Sequence, residues 1–277
     1  MKKIKFAIIG SPISHSLSPT MHNYWFKKYN INAEYELLDI DKNEIQNVID
    51  RIKNKEIKGI NVTLPYKNSV IPFLTKTIND ANETHSVNTI MLDDKNNLIG
   101  ENTDVFGFQA AYLKSIPNQD KRNKKVLILG AGGVAPSIIL ALLKSKIQDI
   151  TLSNRTYEKS LFLKKNFKSL NVIKWDDFSK EINKFDIIIN ATSIGLNTSD
   201  EFKNDFSDFK KSLVYIDTIY NPAETKMIKF FKSNKIRTFN GLNMFIYQGQ
   251  KAFYLWNKIN PEVDDELLKL LESKLNL

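Results

Sequence analysis

The sequence contains no cysteine and only three histidines. The lack of cysteine excludes disulfide bonds, thiolate nucleophiles and cysteine-ligated metals, and we predict no metal site. No stretch approaches the roughly 20 consecutive apolar residues that a membrane-spanning helix needs. The first apolar run is interrupted by Lys5 and ends at Gly10. This run is too short for the core of a secretory signal. We therefore expect a cytoplasmic protein with no membrane partner.

Positive charge is in excess but is not concentrated in any part of the chain. The net charge is +9, yet no window combines a basic stripe with aromatic side chains on which bases could stack. We therefore predict no nucleic-acid partner. With 277 residues, 42% of them hydrophobic and 26% charged, the chain has a globular composition and enough length for two modest domains.

The first third of the chain alternates strand-like and helix-like segments. Strands are predicted over residues 3–9, 34–40, 59–63 and 87–92, and helices over residues 20–29 and 43–53. This alternation predicts an α/β domain with a mainly parallel sheet.

A second alternation begins near residue 125 and predicts a doubly wound nucleotide-binding domain of the Rossmann type. Its predicted strands cover residues 126–129, 149–153, 185–190 and 213–217, and a helix is expected to end near residue 146. After residue 241 we expect two helices, the first stopped and the second opened by Pro261. Leucines at helical spacing in the second helix must pack on another part of the protein: Leu267, Leu268, Leu271 and Leu275.

A glycine-rich turn of the form G-x-G-x-x-A lies between the first strand and first helix of this second half. It consists of Gly130, Ala131, Gly132, Gly133, Val134 and Ala135. Glycines let the backbone turn tightly and bring helix N–H groups against a pyrophosphate. Such turns also merely close strand–helix corners, but the strand–turn–helix context favours a dinucleotide site. Pro136 falls in the first helical turn, where a missing N–H costs little.

The turn after the next strand decides which dinucleotide is preferred. NAD sites usually carry an acidic residue there, about 20 residues on, which holds the ribose 2′-hydroxyl. This chain instead has Asn154, Arg155 and Thr156, followed by Lys159. The turn could simply be solvated, but an arginine there can pair with a 2′-phosphate, so we predict NADP.

Four polar clusters follow or precede the predicted strands of the first domain. They are 14–19 (S-H-S-L-S-P), 61–67 (N-V-T-L-P-Y-K), 87–89 (V-N-T) and 100–104 (G-E-N-T-D). Each cluster alone could be an ordinary polar loop, and one of the serines could cap a helix. Because open α/β sheets bind ligands at strand ends, the four together predict a substrate site.

In these motifs the chain resembles the shikimate dehydrogenase family. The likeness also includes N-T-D-x-x-G (102–107), N-R-T (154–156), N-A-T-S-x-G (190–195) and G-x-x-M-x-x-x-Q (241–248), from the first strand to the last helices. It implies a two-domain fold with a substrate-binding domain at 1–104 and 241–277, to which the C-terminal helices return. A Rossmann NADP-binding domain at 105–240 is inserted between. Small departures at Tyr66, Leu196 and Tyr247 concern ring packing.

The resemblance implies an NADP-dependent oxidoreductase that reduces 3-dehydroshikimate to shikimate in aromatic amino acid biosynthesis. Lys67 and Asp104 are the implied catalytic pair. The implied substrate-binding residues are Ser16, Ser18, Thr63, Lys67, Asn88, Asp104, Tyr220 and Gln248. The implied cofactor-binding residues are the glycine turn, Asn154, Arg155, Thr156, Lys159, Asn190, Ala191, Thr192, Ser193, Ile219 and Gly241.

General chemistry agrees with these roles but leaves alternatives open. A hydride that arrives at a ketone carbon leaves charge on oxygen, so a nearby acid must supply a proton. We expect His15 and His22 to be surface or packing residues, which leaves Lys67, itself equally explicable as a surface lysine. The alternatives are an NAD-using quinate/shikimate dehydrogenase and a silent NADP-binding or nucleic-acid-binding relative. The expected state is a monomer or a homodimer.

Overall fold

The computed structural model describes residues 2–114, 118–197 and 199–275. These residues form two compact units. The first unit contains the chain up to Gly107 and from Ile246 onward, and the second contains Phe108–Phe245. The functional domain boundaries given above stay a prediction.

Strands and helices alternate along most of the described chain. The strands are β1 (Ile4–Gly10), β2 (Ala33–Asp39), β3 (Gly59–Val62), β4 (Lys76–Thr77), β5 (Thr89–Leu92), β6 (Leu98–Glu101), β7 (Lys125–Leu129), β8 (Asp149–Asn154), β9 (Asn171–Lys174), β10 (Ile187–Asn190), β11 (Val214–Asp217) and β12 (Arg237–Phe239). The helices are α1 (Ser18–Lys28), α2 (Ile45–Lys53), α3 (Asp80–Thr84), α4 (Asp104–Phe108), α5 (Asn118–Lys121), α6 (Ala135–Lys144), α7 (Tyr157–Asn166), α8 (Lys226–Ser233), α9 (Leu242–Asn257) and α10 (Asp265–Lys274). Shorter helical turns cover Lys42–Glu44, Ile71–Phe73, Gln109–Leu113 and Phe178–Lys184.

The sheet of the first unit is mixed, with the strand order β2-β1-β3-β5-β6-β4. β1 is parallel to β2 and β3, whereas β5 is antiparallel to both β3 and β6. Three of the five strand pairs are parallel, so the sheet is mainly parallel as expected, and only the two pairs that β5 makes are antiparallel. β5 leads into β6 through a tight turn, in which the Asp93 carboxylate accepts the N–H groups of Lys95 and Asn97 at 2.9 and 2.8 Å.

One face of this sheet is covered by α2, whose apolar residues recur at helical spacing. Ile45, Val48, Ile49 and Ile52 are all at most 3% exposed and belong to one core cluster with the strand residues. Each such buried side chain contributes about 1.5–3 kcal/mol, so this face fixes the sheet that carries the polar strand ends.

The second unit has an all-parallel sheet in the order β12-β11-β10-β7-β8-β9. Residues 126–129 of its central strand β7 are completely buried, as a strand covered on both faces requires. α6 begins at Ala135, the last residue of the glycine turn, with Pro136 in its first turn as predicted. The prediction of a doubly wound α/β domain is confirmed.

The last two helices pack on the first unit, which confirms the predicted return of the chain. Leu267 and Leu271 are completely buried, and α10 contacts α1. The predicted start of the last helix at Pro261 is wrong, because Asp264 caps α10 by accepting the N–H of Leu267 at 2.8 Å. Among the described residues, no helix has both the length and the apolar content to cross a membrane.

Candidate active site

Lys67 and Asp104 form a buried ion pair at one edge of the first sheet. The Lys67 Nζ and Asp104 Oδ2 atoms are 2.6 Å apart, and the two residues are 9% and 5% exposed. Lys67 follows β3, and Asp104 begins α4 directly after β6. Since β3 and β6 are both antiparallel to β5, they run in the same direction and end at the same edge.

Asn88 reaches the same edge because it precedes β5, which runs the opposite way. Its Nδ2 donates to Asp104 Oδ1 at 2.8 Å and lies 3.4 Å from the Gln248 Oε1 of α9. Its Oδ1 accepts the Thr103 N–H at 2.8 Å. The structure thus brings Lys67, Asp104, Asn88 and Gln248 together, and Asp104 accepts from both the lysine and the amide.

Asn102 holds the Asp104 backbone in place, a role that its position in the N-T-D motif did not reveal. Its Oδ1 accepts the Asp104 N–H at 3.0 Å, and its Nδ2 donates to the Ser86 carbonyl at 2.9 Å. Asn102 is 1% exposed, so these contacts are made out of reach of water. The Asp104 carboxylate is therefore fixed at the start of α4.

Ser16, Ser18 and Thr63 lie near the ends of β1 and β3 at this same edge. The Ser16 hydroxyl accepts the Ser18 N–H at 3.3 Å, and Ser18 is 3% exposed. The cap residue of α1 is Leu17 and not a serine, but Ser16 satisfies the N–H of the first helical residue from just outside the helix. Two hydroxyls at the amino end of an 11-residue helix are suited to an anion.

The first two histidines have the roles expected of them. His15 is exposed, and His22 is completely buried, with its ring stacked on Tyr35 at 4.5 Å between ring centroids. Neither ring nitrogen of His22 has a hydrogen-bond partner among the described residues. Burial lowers the pKa of His22 from 6.5 to about 3, so its ring is neutral at ordinary pH.

The glycine turn of the second unit has one glycine that the fold requires and one that it does not. Gly130 has a φ of +106°, and a Cβ there would lie 2.7 Å from the Ala191 carbonyl oxygen. A Cβ at Gly132 would meet only that same oxygen, at an ordinary 4.0 Å. Gly132 therefore leaves open a place where another molecule can approach the backbone.

The basic turn is attached to the glycine turn through Asn154. The Asn154 Oδ1 accepts the Ala131 N–H at 3.0 Å, and its Nδ2 donates to the Thr156 carbonyl at 2.8 Å. Arg155 and Lys159 are exposed, and Arg155 forms no ion pair within the described parts of the chain. The guanidinium is thus available to an anionic group next to the glycine turn.

The N-A-T-S-x-G loop is fixed by a buried carboxylate that the sequence analysis missed. Asn190 Oδ1 accepts the Thr192 N–H at 3.0 Å, and Asn190 Nδ2 donates to Asp217 Oδ1 at 3.1 Å. Asp217 also accepts the hydroxyls of Thr225 and Tyr215. Burial raises the pKa of Asp217, and these donors oppose the rise. The sequence signal that could have identified Asp217 is an acidic residue at the end of an apolar strand.

The remaining predicted residues of the second unit surround the end of β11. Gly241 donates its N–H to the Ile219 carbonyl at 2.9 Å, and a Cβ at Gly241 would collide with the Thr218 carbonyl oxygen. Backbone packing alone therefore requires glycine there. Tyr220 belongs to this unit, and its ring lies against Phe245 with 4.8 Å between centroids.

The described residues contain no group of three or more histidine or acidic side chains that could hold a metal ion.

Comparison with known proteins gives matches over nearly the whole chain. The family model of the shikimate dehydrogenase substrate binding domain matches residues 8–90, and that of shikimate / quinate 5-dehydrogenase matches residues 113–237. The shikimate dehydrogenase (NADP(+)) of Pelagibacter ubique is 50% identical over 272 residues, which cover 98% of this chain and 100% of that protein.

Solved structures give the same result. The crystal structure of shikimate dehydrogenase from Aquifex aeolicus has a TM-score of 0.88 at 33% identity, and the match covers 99% of this chain and 98% of that one. The structure of shikimate 5-dehydrogenase from Thermus thermophilus in complex with NADP(H) and shikimate has a TM-score of 0.84 at 26% identity, with coverages of 99% and 98%.

Proposed function

The chain belongs to the shikimate dehydrogenase family, and on that premise we propose that it catalyses the reversible, NADPH-dependent reduction of 3-dehydroshikimate to shikimate in aromatic amino acid biosynthesis. The observation that carries this proposal is the buried Lys67–Asp104 pair with Asn88 and Gln248 beside it. An ion pair kept out of water at the edge of a sheet has no evident structural purpose, since the sheet is already held by its apolar face.

Lys67 acts in this proposal as the proton donor to the C3 oxygen of the substrate. As charge develops on that oxygen, the ammonium group supplies a proton, and in the reverse direction the amine takes it back. Asp104 orients the ammonium through its 2.6 Å contact and stabilises the charged lysine. Asn88 fixes the second carboxylate oxygen, so the pair cannot rotate away from the substrate.

The substrate is held through its carboxylate and its ring hydroxyls. Ser16 and Ser18, helped by Tyr220, bind the carboxylate through hydroxyl hydrogen bonds. The hydroxyls are bound by Thr63, Asn88, Asp104 and Gln248. The proximity of Ser16 and Ser18 at the start of α1, and of Asn88, Asp104 and Gln248 to one another, supports this division.

NADPH supplies the hydride when it is bound. The open position at Gly132 and the exposed Arg155 fit a pyrophosphate and a 2′-phosphate, respectively. The residues proposed to hold the cofactor are Gly130, Ala131, Gly132, Gly133, Val134, Ala135, Asn154, Arg155, Thr156, Lys159, Asn190, Ala191, Thr192, Ser193, Ile219 and Gly241.

The wider organisation follows from the same proposal. Residues 1–104 and 241–277 form the substrate-binding catalytic domain, and residues 105–240 form the NADP-binding domain. We also propose that the enzyme acts in the cytoplasm as a monomer or a homodimer.

Absorbance at the nicotinamide band tests the reaction directly, on mixing the protein with NADP and shikimate. Lys67→Met should lower kcat by about 10²–10⁴-fold with a much smaller change in the KM for shikimate, because the proton moves mainly in the transition state. Asp104→Asn should also lower kcat, and the double variant should lose little more than Lys67→Met alone.

A surface ion pair of the same unit supplies the matched control. Lys53 and Asp50 lie 3.7 Å apart, and both side chains are 51% exposed, so Lys53→Met and Asp50→Asn should leave turnover unchanged. Absence of NADP reduction by the wild type would contradict the proposed reaction. Near-normal turnover of Lys67→Met, or losses that multiply in the double variant, would show that another donor carries the proton.

A further inference from the structure

Asp217 is a buried carboxylate of the second unit that the mechanism above does not use. It ends β11 and is completely buried. Its Oδ1 accepts the Asn190 Nδ2 and the Ile219 N–H, both at 3.1 Å. Its Oδ2 accepts the hydroxyls of Thr225 at 2.8 Å and of Tyr215 at 3.2 Å. Two of these four donors belong to residues that are proposed to hold the cofactor.

The Oδ1 atom of Asp217 joins two loops that follow neighbouring strands. Asn190 ends β10 and opens the N-A-T-S-x-G loop, whereas Ile219 lies just after β11. The Asn190 carbonyl also accepts the N–H and the hydroxyl of Thr218, at 3.0 and 2.9 Å. Within the first loop, the Thr192 hydroxyl donates to Asn190 Oδ1 at 2.7 Å. Asp217 therefore lies where the two loops are tied together.

The strand order shows which half of the cofactor these loops would face. β7, which carries the glycine turn, lies between β10 and β8, which carries the basic turn. These strands are parallel, so their carboxyl ends lie at one edge of the sheet. In a doubly wound sheet a dinucleotide lies across this edge, at the point where the strand order reverses. With the pyrophosphate at the glycine turn and the 2′-phosphate at the basic turn, as proposed, the nicotinamide half would extend over β10 toward β11.

We propose that Asp217 is a positioning residue for hydride transfer, whose Oδ1 fixes the Asn190 loop and the Ile219 backbone against the nicotinamide ring. The inference rests on the proposed function, since it assumes that NADPH binds at these loops. Without the carboxylate, the two donors lose their common acceptor and the loops can shift independently. Asn154 holds the Ala131 N–H from the basic turn, so the binding of the 2′-phosphate half should be kept.

Two substitutions of Asp217 separate support of the loops from support of the fold. Asp217→Ala removes both oxygens, so the Asn190 loop and the Ile219 backbone lose their acceptor. Asp217→Asn keeps one oxygen for those two donors and turns its amide nitrogen toward the hydroxyls of Thr225 and Tyr215. The asparagine variant should therefore lose stability but keep the loops in place, whereas the alanine variant should lose both.

Binding measurements distinguish the two halves of the cofactor site. Adenosine 2′,5′-bisphosphate carries the 2′-phosphate but no nicotinamide. Calorimetric titration with it counts the folded sites, and its Kd should stay within about twofold of wild type in both variants. NADPH fluoresces from its nicotinamide ring, so the emission anisotropy of bound NADPH should fall in Asp217→Ala and stay normal in Asp217→Asn.

Turnover is then expressed per folded site. In Asp217→Ala, kcat per site should fall about ten- to a hundredfold, because misplacing the hydride donor by about 1 Å can cost that much. In Asp217→Asn, kcat per site should stay within about threefold of wild type, because the loops remain in place.

Asp186→Ala is the matched control. Asp186 is half-buried in the same unit, precedes β10 at the opposite edge of the sheet, and accepts the Lys125 N–H and the Lys210 Nζ at 2.9 Å. This variant should leave the anisotropy and the kcat per site unchanged. If Asp217→Ala yields no folded sites, Asp217→Ser takes its place, because it removes the same two oxygens but leaves a hydroxyl in the space.

Normal anisotropy and normal kcat per site in Asp217→Ala, or in Asp217→Ser in its place, would overturn the inference. Losses of the same size in Asp217→Asn would do so too, because a missing acceptor would then not be their cause. Equal losses in Asp186→Ala, or a matching rise in the Kd for the bisphosphate, would mean that the whole unit is damaged. An inactive wild type would instead contradict the proposed function, and the anisotropy would still test the role of Asp217.

Discussion

Acidification should destabilise the first unit through His22. The ring is completely buried among Trp25, Tyr35, Phe253 and Trp256, and its nitrogens have no partner among the described residues. A charged imidazolium in these surroundings would lose its hydration without gaining a counterion. Protonation therefore favours the unfolded chain, in which the ring reaches water.

The size of the effect follows from the two pKa values. Burial lowers the folded-state pKa of His22 to about 3, below the ordinary 6.5 of the unfolded chain. The unfolded state thus binds the proton first, so the contribution is complete above pH 6.5 and is lost as the pH falls toward 3. At about 1.36 kcal/mol for each pH unit between these values, the loss is about 2 kcal/mol at pH 5 and approaches about 5 kcal/mol at pH 3 and below.

Urea unfolding at pH 8 and pH 5, followed by tryptophan fluorescence, measures this loss. Trp175 is the one tryptophan of the second unit, so a Trp175→Phe background leaves Trp25 and Trp256 as reporters of the first unit. In that background, the protein with His22 should lose about 2 kcal/mol more than the His22→Phe variant between the two pH values. Phenylalanine keeps an aromatic ring in the site and does not titrate.

The exposed His15 provides the matched control, and His15→Gln should keep the full pH dependence. Burial raises the pKa of Glu101, a carboxyl of the same unit. Because the proteins with and without His22 both contain Glu101, its titration cancels in the difference between them. Equal pH dependence with and without His22 would refute the reasoning, because it would mean that the ring finds a partner or water inside the protein.

Two further predictions concern the second unit. Arg155→Ala should raise the KM for NADP roughly ten- to a hundredfold with little change for NAD, since a charge-assisted hydrogen bond contributes about 1.5–3 kcal/mol; equal losses with both cofactors would mean that Arg155 is only structural. Asp217→Asn should lower the free energy of unfolding of the second unit by about 1–3 kcal/mol, because an amide nitrogen would face the hydroxyl donors of Thr225 and Tyr215. Urea unfolding followed by the fluorescence of Trp175 measures this change, and an unchanged unfolding midpoint would contradict the prediction.

In each unit, four of the six strands lie within two residues of their predicted bounds, and β4 and β6 of the first unit were missed. β7, β8, β10 and β11 all lie within two residues of their predicted bounds. β9 and β12 were missed, since both are short, partly exposed and rich in polar or basic residues. Such edge strands form because they pair with a neighbouring strand that is already in place. The pattern of residues within the edge strand itself does not indicate that neighbour.

The residues of the candidate site could be predicted only where they belong to a motif of the family. Lys67 and Asp104 are 37 positions apart in the sequence. Without the family motifs, a surface position and a position in the site were equally plausible for Lys67. Asp217 was missed because its partner Asn190 lies 27 positions away on another strand, so an acidic residue at the end of an apolar strand does not by itself show what it contacts.

The antiparallel direction of β5, which the alternation of strands and helices did not predict, brings the site together. Asn88 precedes β5, and it meets Lys67 and Asp104 because β5 runs against β3 and β6. Had β5 been parallel, Asn88 would lie at the opposite edge, roughly 13 Å away for a four-residue strand at about 3.3 Å per residue. The hairpin turn at Asp93 therefore does more than reverse the chain. By placing the start of one strand beside the ends of two others, it brings an amide donor to a carboxylate that a wholly parallel arrangement would keep apart.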